Sequence, residues 1–251
     1  MSKTAIVTGA SRGIGRACAL RLAGAGFQVY LVAEGTQEEL AAVAAECARL
    51  HPQQKSAHYG LHDLADPASA PAIAQAARDE FGRIDVLVNN AGVRIRKPFG
   101  EFSATDFDKV FAINLRAAFL LSQAVLPAMR AQGGGRIIQM ASQLGLVADP
   151  GASVYAMTKA ALIQLTRNMA LELAPEKIIV NAVSPGPIIT NYYKARLERE
   201  PALLQQRLGS LPAGRLGEES EVADVVAFLA TTDATFMLGH NLVIDGGFVI
   251  H

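Results

Sequence analysis

The chain has no surplus of either charge: 23 Lys plus Arg balance 23 Asp plus Glu. Gripping a nucleic-acid backbone or an anionic membrane surface takes a net basic field, so neither partner is expected, and a small-molecule substrate is. Cysteine is scarce. Cys18 and Cys47 fall in stretches that read as helices, not in paired loops or a metal-spaced cluster. That excludes a disulfide framework and points to reduced thiols in the cytoplasm. The five histidines do not group with carboxylates at ligand spacing, so no metal is expected. The most apolar helical stretch, 117–129, reads as too short to span a bilayer and follows Arg116. The first residues, Met1-Ser2-Lys3-Thr4, run straight into an apolar strand without the apolar core of a signal peptide. There is no repeat, low-complexity tract or linker.

What the chain does have is alternation. Short β-branched runs at 5–8, 28–33, 56–60, 86–89, 136–141, 178–182 and 241–244 read as buried parallel strands. Between them Ala- and Leu-rich segments at 14–25, 37–50, 68–81, 105–131, 153–174 and 219–230 read as helices. Asp66-Pro67 and Ser103 are candidate helix starts. With 51% hydrophobic residues in 251, the chain can bury one core. The expected fold is α/β, a Rossmann-type doubly wound parallel sheet of about seven strands in the order 3-2-1-4-5-6-7, forming a single domain over 1–251. The stretch 184–217 lacks a clear strand and reads as a substrate lid.

The first strand ends in Thr8-Gly9-Ala10-Ser11-Arg12-Gly13-Ile14-Gly15, where helical periodicity starts. Glycines there allow a tight turn and close approach of backbone to a pyrophosphate, and the helix N-terminus supplies amides and partial positive charge. Tyr155 and Lys159, four apart, share one helix face, and Ser142 precedes Tyr155 by thirteen residues.

These features resemble the short-chain dehydrogenase/reductase family, whose cofactor turn reads T-G-x-x-x-G-x-G. Asn89-Asn90-Ala91-Gly92 is similar to its N-N-A-G segment, and Asn114, Ser142, Tyr155 and Lys159 fall on its catalytic tetrad. One departure is visible: Ala141 replaces the first of two serines common there. The resemblance implies a dinucleotide held by Gly9, Ser11, Arg12, Gly13, Ile14 and Gly15, by Asn90, Ala91 and Gly92, and by Asp63 at the adenine. Pro185-Gly186, Ile188 and Thr190 would hold the nicotinamide amide, and Tyr155 and Lys159 would also touch cofactor. It implies further that Asn114 positions a water near Lys159, and that helices of neighbouring subunits pair into a homotetramer.

The chemistry follows from the residue types. A phenol titrates near pH ~10, and the Lys159 ammonium favours its phenolate, fitting Tyr155 as acid/base at neutral pH. Ser142 donates a hydrogen bond to the substrate oxygen as charge develops. The expected activity is NAD(P)-dependent hydride transfer between nicotinamide and a secondary alcohol or carbonyl. A dinucleotide-binding sensor or scaffold without turnover is the reading from another class. Cofactor choice turns on the end of the second strand. Ala33 stands at the usual acidic position, Glu34 beside it repels a 2′-phosphate, and Arg12 attracts one; the balance leans to NAD.

For substrate, 89–99 is similar to gluconate and uronate dehydrogenases, and 212–217 to 3-oxoacyl-carrier-protein reductases. The first predicts a sugar acid or polyol, with Arg96 forking onto a carboxylate and Gln143 and Asn191 on hydroxyls. The second predicts a 3-oxoacyl thioester entering past Tyr192, Tyr193 and Leu197. The bland reading of Arg94, Arg96 and Lys97 is a solvated loop.

Overall fold

The computed structural model describes residues 2–51, 53, 57–200, 204–205 and 208–250, with the side chains of Tyr192 and Arg196 outside that description. Seven strands form one parallel sheet: β1 (Thr4–Thr8), β2 (Gln28–Ala33), β3 (His58–Leu61), β4 (Val86–Asn89), β5 (Gly135–Met140), β6 (Ile178–Pro185) and β9 (Asn241–Ile244). Their order is β3-β2-β1-β4-β5-β6-β9, the expected doubly wound arrangement, and every adjacent pair is parallel. β7 (Ile188–Ile189) and β8 (Gly217–Glu218) make a separate two-stranded ribbon that sequence periodicity did not signal.

Strand side chains alternate between two cores, which is why the strands read as unbroken apolar runs. On one face Val7, Val29, Leu31 and Val183 pack under α1 (Gly13–Gly24), α2 (Gln37–Leu50) and the last long helix, α8 (Glu219–Thr231). On the other Ile6, Val32, Leu87 and Ile137 pack under α3 (Ser69–Phe81) and α5 (Ala117–Ala131). α6 (Ser153–Leu173) lies against β6 and carries the Tyr155 face, and α7 (Asn191–Arg199) lies in the connection after β6.

Several expectations are corrected. Asp66 does not cap α3, whose N-cap is Ala68 without a side-chain bond; Asp66 closes the preceding turn by accepting the Ala68 amide at 2.9 Å. Ser103 does cap its helix, α4 (Ala104–Phe111), in a reciprocal box with Asp106. The expected single helix 105–131 runs unbroken over Ala104–Ala131 but widens into a π-helical turn at Ala112–Arg116. The run Ala104–Ala131 is 28 residues with mean hydropathy 1.5, so length alone does not exclude a membrane crossing. Its apolarity is explained by the core: Val110, Leu121, Val125 and Met129 are buried in the fold. β6 extends to Pro185, so the lid region begins after it.

Candidate active site

A cleft of about 700 Å³ opens at the carboxyl ends of the strands, lined by the glycine turn at one end and by Ser142 and Tyr155 at the other. This is where a doubly wound sheet leaves a crevice, because crossovers leave β1 and β4 in opposite directions. Arg12, Gly13 and Ile14 line it. α1 starts at Gly13 with no side-chain cap and no acidic residue in its first turn, leaving its amides for an anion. Gly9, Ser11 and Gly15 build the turn and do not line the cleft wall. A Cβ on Gly15 would stand 2.0 Å from the Gly9 carbonyl oxygen, and one on Gly9 would stand 2.9 Å from Asn90 Nδ2. Gly9 and Gly13 have φ of 65° and 61°, conformations that favour glycine. The cradle therefore fits the pyrophosphate of a dinucleotide.

The turn is tied to the loop after β4. Thr8 Oγ1 accepts the amides of Asn90 and Ala91, both at 3.0 Å, and Asn90 Nδ2 donates to the Thr8 carbonyl at 2.9 Å. Asn89 points the other way, donating to Ser122 Oγ at 3.0 Å on α5. Asn90 and Gly92 reach the cleft and Ala91 does not. Asn114 sits in the π turn, almost fully buried, and holds the next residue from both sides. Its Oδ1 accepts the Val93 amide at 2.8 Å and its Nδ2 donates to the Val93 carbonyl at 2.9 Å. The wider π turn is what displaces Asn114 from the regular helical path. It does not line the cleft, and its amide is engaged with Val93 and Thr158.

Ser142, Tyr155 and Lys159 meet in the cleft. Ser142 lies just past β5, and its Oγ accepts the Leu144 amide at 3.2 Å, which leaves the hydroxyl proton to be donated elsewhere. Lys159 Nζ lies 5.6 Å from the centroid of the Tyr155 ring and donates to the Met140 carbonyl at 2.6 Å. Burial pulls Lys159 down to about 8, since an apolar surrounding disfavours the charged form. Ala141 is buried at 3% exposure, so the departure at that position is a packing feature. Pro185, Gly186, Ile188 and Thr190 line the far wall, as does Asn191 at the start of α7.

Three more expected contact residues lie off the cleft wall, and a fourth is outside the described residues. Glu34 is exposed just beyond β2 and off the cleft wall. Asp63 is exposed too, its Oδ1 accepting the Ala65 amide at 2.7 Å. The side chain of Tyr192 lies outside the described residues. Arg96 is off the wall: its guanidinium donates to Asp149 Oδ2 at 2.7 Å and to the Pro150 carbonyl at 2.5 Å. Arg94 lines the cleft instead, its guanidinium carbon 5.2 Å from the Tyr155 centroid and its Nη2 3.2 Å from Asp149. Both guanidiniums reach Asp149, and Arg94 is the one that also lies over the Tyr155 ring of α6. Thr8, Thr158 and Asp149 are site residues the sequence did not single out, and Arg94 stood out there only as one of three loop cations. Thr8 had a signal, as the first letter of the glycine motif; Asp149 had none, being 53 and 55 residues from its partners.

A family model described as enoyl-(acyl carrier protein) reductase matches residues 9–249. The chain is 42% identical over 254 residues to a 2-(R)-hydroxypropyl-CoM dehydrogenase of Xanthobacter autotrophicus, covering 99% of each protein. It is 36% identical over 247 residues to a 3-oxoacyl-[acyl-carrier-protein] reductase of Staphylococcus aureus, covering 98% of each. The structure of levodione reductase matches with a TM-score of 0.92 at 34% identity, over 99% of this chain and 98% of that one. The chain belongs to the short-chain dehydrogenase/reductase family, the class its sheet order, glycine turn and Tyr155–Lys159 helix define. It is an oxidoreductase acting on CH–OH groups with a dinucleotide of the NAD(P) type.

Proposed function

We propose that the chain interconverts a secondary alcohol and its carbonyl compound, with Tyr155 as acid/base, Lys159 as its electrostatic support and Ser142 as donor to the substrate oxygen. The observation that carries this reading is the meeting of these three side chains at one end of a cleft whose other end is the glycine turn. The nicotinamide, when bound, takes or gives the hydride. Tyr155 takes the hydroxyl proton during oxidation and returns it during reduction, and the nearby Lys159 ammonium favours its phenolate. Ser142, its oxygen already accepting the Leu144 amide, directs its proton to the substrate oxygen. Asn114 is a positioning residue: it fixes Val93, next to Gly92 and Lys159, and Thr158 links it to the Tyr155 carbonyl, which Thr158 meets at 2.7 Å. A sensor without turnover has no observation in its favour.

Gly9, Ser11, Gly13, Ile14 and Gly15 hold the pyrophosphate in this reading, with Arg12, Asn90, Ala91 and Gly92 beside it. Asp63 stands at the adenine end, and Ile188 and Thr190 at the nicotinamide amide. Glu34, one residue beyond β2, favours NAD over NADP. The segment after β6 through Leu216 acts as the lid, with Tyr193, Leu211 and Leu216 packed as its own small core. Among substrates we favour a polyol-like or sugar-derived alcohol, since Gln143 and Asn191 bring amides to the cleft. A 3-oxoacyl thioester is the second reading, favoured by the name of the staphylococcal relative. The buried, separate cysteines fit the reducing cytoplasm, and the exposed apolar helix faces fit a homotetramer. A panel at 340 nm with NAD and NADP against polyols, sugar acids, secondary alcohols and 3-oxoacyl thioesters tests the class. Tyr155→Phe should lose at least ~10²-fold in kcat on the best substrate while still binding cofactor. Near wild-type turnover would refute the assignment.

A further inference from the structure

Gln143 follows the serine directly and opens a short 3₁₀ turn, Gln143–Gly145. It is only 5% exposed, yet it lines the cleft. Its Oε1 is buried and meets no hydrogen-bond donor among the described residues. The oxygen is wedged beside the Pro185-Gly186 turn, where a Cβ on Gly186 would come within 2.8 Å of it. A buried amide without a partner is costly, and a site built this way discriminates against ligands that leave it unpaired. The two ends of a glutamine amide exchange places by a half-turn of the last torsion. A hydroxyl both donates and accepts, so it satisfies the amide in either orientation; a carboxylate only accepts, and a methyl group does neither. The charges nearby point the same way. Arg94, which faces the cleft, is paired with Asp149, and the Arg96 fork is spent on Asp149 and the Pro150 carbonyl.

We propose that the substrate is a neutral vicinal diol, or the α-hydroxy ketone it yields, and that Gln143 recognises the second hydroxyl on the carbon next to the reacting one. The inference rests on the reading of Ser142 and Tyr155 as the reacting pair, because Gln143 gains its reach from standing beside Ser142. In oxidation one carbinol loses its hydroxyl proton to Tyr155 and its hydride to the dinucleotide, giving a ketone. The neighbouring hydroxyl is unchanged, held by Gln143.

The test compares kcat/KM of the purified enzyme, with NAD and with NADP, for matched pairs: 2,3-butanediol and 2-butanol, 1,2-cyclohexanediol and cyclohexanol. The wild type should prefer the diols by ~10 to 100-fold, the range that a satisfied against an unsatisfied buried group provides. In Gln143→Leu the diol-to-alcohol ratio should fall towards one, with circular dichroism and dinucleotide binding reporting that the variant is folded. The wild-type ratio is informative without any variant: a ratio near one, or no turnover of any diol, overturns the proposal. So does a Gln143→Leu variant that keeps the ratio and loses affinity for the dinucleotide, since that assigns the amide to the cofactor. Tyr155→Phe separates the two readings. If it retains turnover while the wild type strongly prefers diols, the acid/base assignment fails and diol recognition stands. If it is inactive and the ratio is near one, only the diol inference fails.

Discussion

Lys159 is buried to 3% exposure, with the Met140 carbonyl as a hydrogen-bond acceptor at 2.6 Å. An ammonium in such a place costs the fold, and the lowering from 10.5 to about 8 expresses that cost. The sign is definite. Between pH 8 and 10.5 the unfolded lysine still binds its proton while the folded one releases it, so stability from this group rises with pH across that window. Lys159→Met should therefore have a stability relative to wild type that is greatest at pH 7 and shrinks towards pH 10.5, while turnover is lost. Urea unfolding at several pH values checks this, and a difference independent of pH would refute it. Ser142, Tyr155 and Lys159 were legible as a group because they fall within one strand–loop–helix, whereas Asn114 was singled out only by the family resemblance. Glu34 shows the limit of such rules: it has the right charge one residue past the usual position, and its direction depends on the loop. Glu34→Ser should shift the kcat/KM ratio towards NADP, and an unchanged ratio would mean that Glu34 does not face the adenosine ribose.

Two loops form the substrate end, and they are sewn together. Asp149, from the loop after β5, pairs with both Arg94 and Arg96 from the loop after β4, and the Lys97 amide donates to the Gly151 carbonyl at 3.2 Å. With its fork already engaged there, Arg96 has a structural task. Arg96→Ala should change kcat/KM by the same factor for an acidic and a neutral polyol. A KM rise confined to the acid, of about 1.5 to 3 kcal/mol, would restore a carboxylate clamp. The fourteen-residue α2 was readable from its period, and the start of the eight-residue α4 from Ser103. The π turn at Ala112–Arg116 was not, since the apolar pattern of 105–131 continues through it and a one-residue widening leaves the periodicity nearly unchanged. β7 and β8 are two residues each, too short for any alternation to register. The Asp149 pairing was hidden for another reason: it exists only once two separate crossovers have brought their loops together.

At the scale of the molecule the strand order follows from right-handed crossovers out of the first glycine turn, which leave few alternatives. The single chain leaves large apolar side chains unburied. On α4, α5 and α6 the side chains of Phe107, Phe119 and Met157 are 40%, 42% and 45% exposed, while Phe111, Leu165 and Met169 of the same helices are half-buried. Phe107 and Phe111 stack at 4.1 Å between ring centroids, so this face is already ordered in the monomer. A second apolar group lies along α8 and β9, where Phe228 is 46%, Leu238 41% and Val243 38% exposed, and Phe236 is fully exposed. Isolated exposed hydrophobics need no explanation, but two separate groups of them do, and two isologous contacts related by perpendicular two-fold axes close a tetramer without leaving an open end. Light scattering at micromolar concentration should give four times the 26.5 kDa chain mass. Phe119→Glu, a charge placed on the α5 face alone, should give a dimer held by the α8 and β9 contact, with the fold preserved by circular dichroism. A wild type that remains a monomer would refute the assembly, and a Phe119→Glu variant still tetrameric would place the interface on another face.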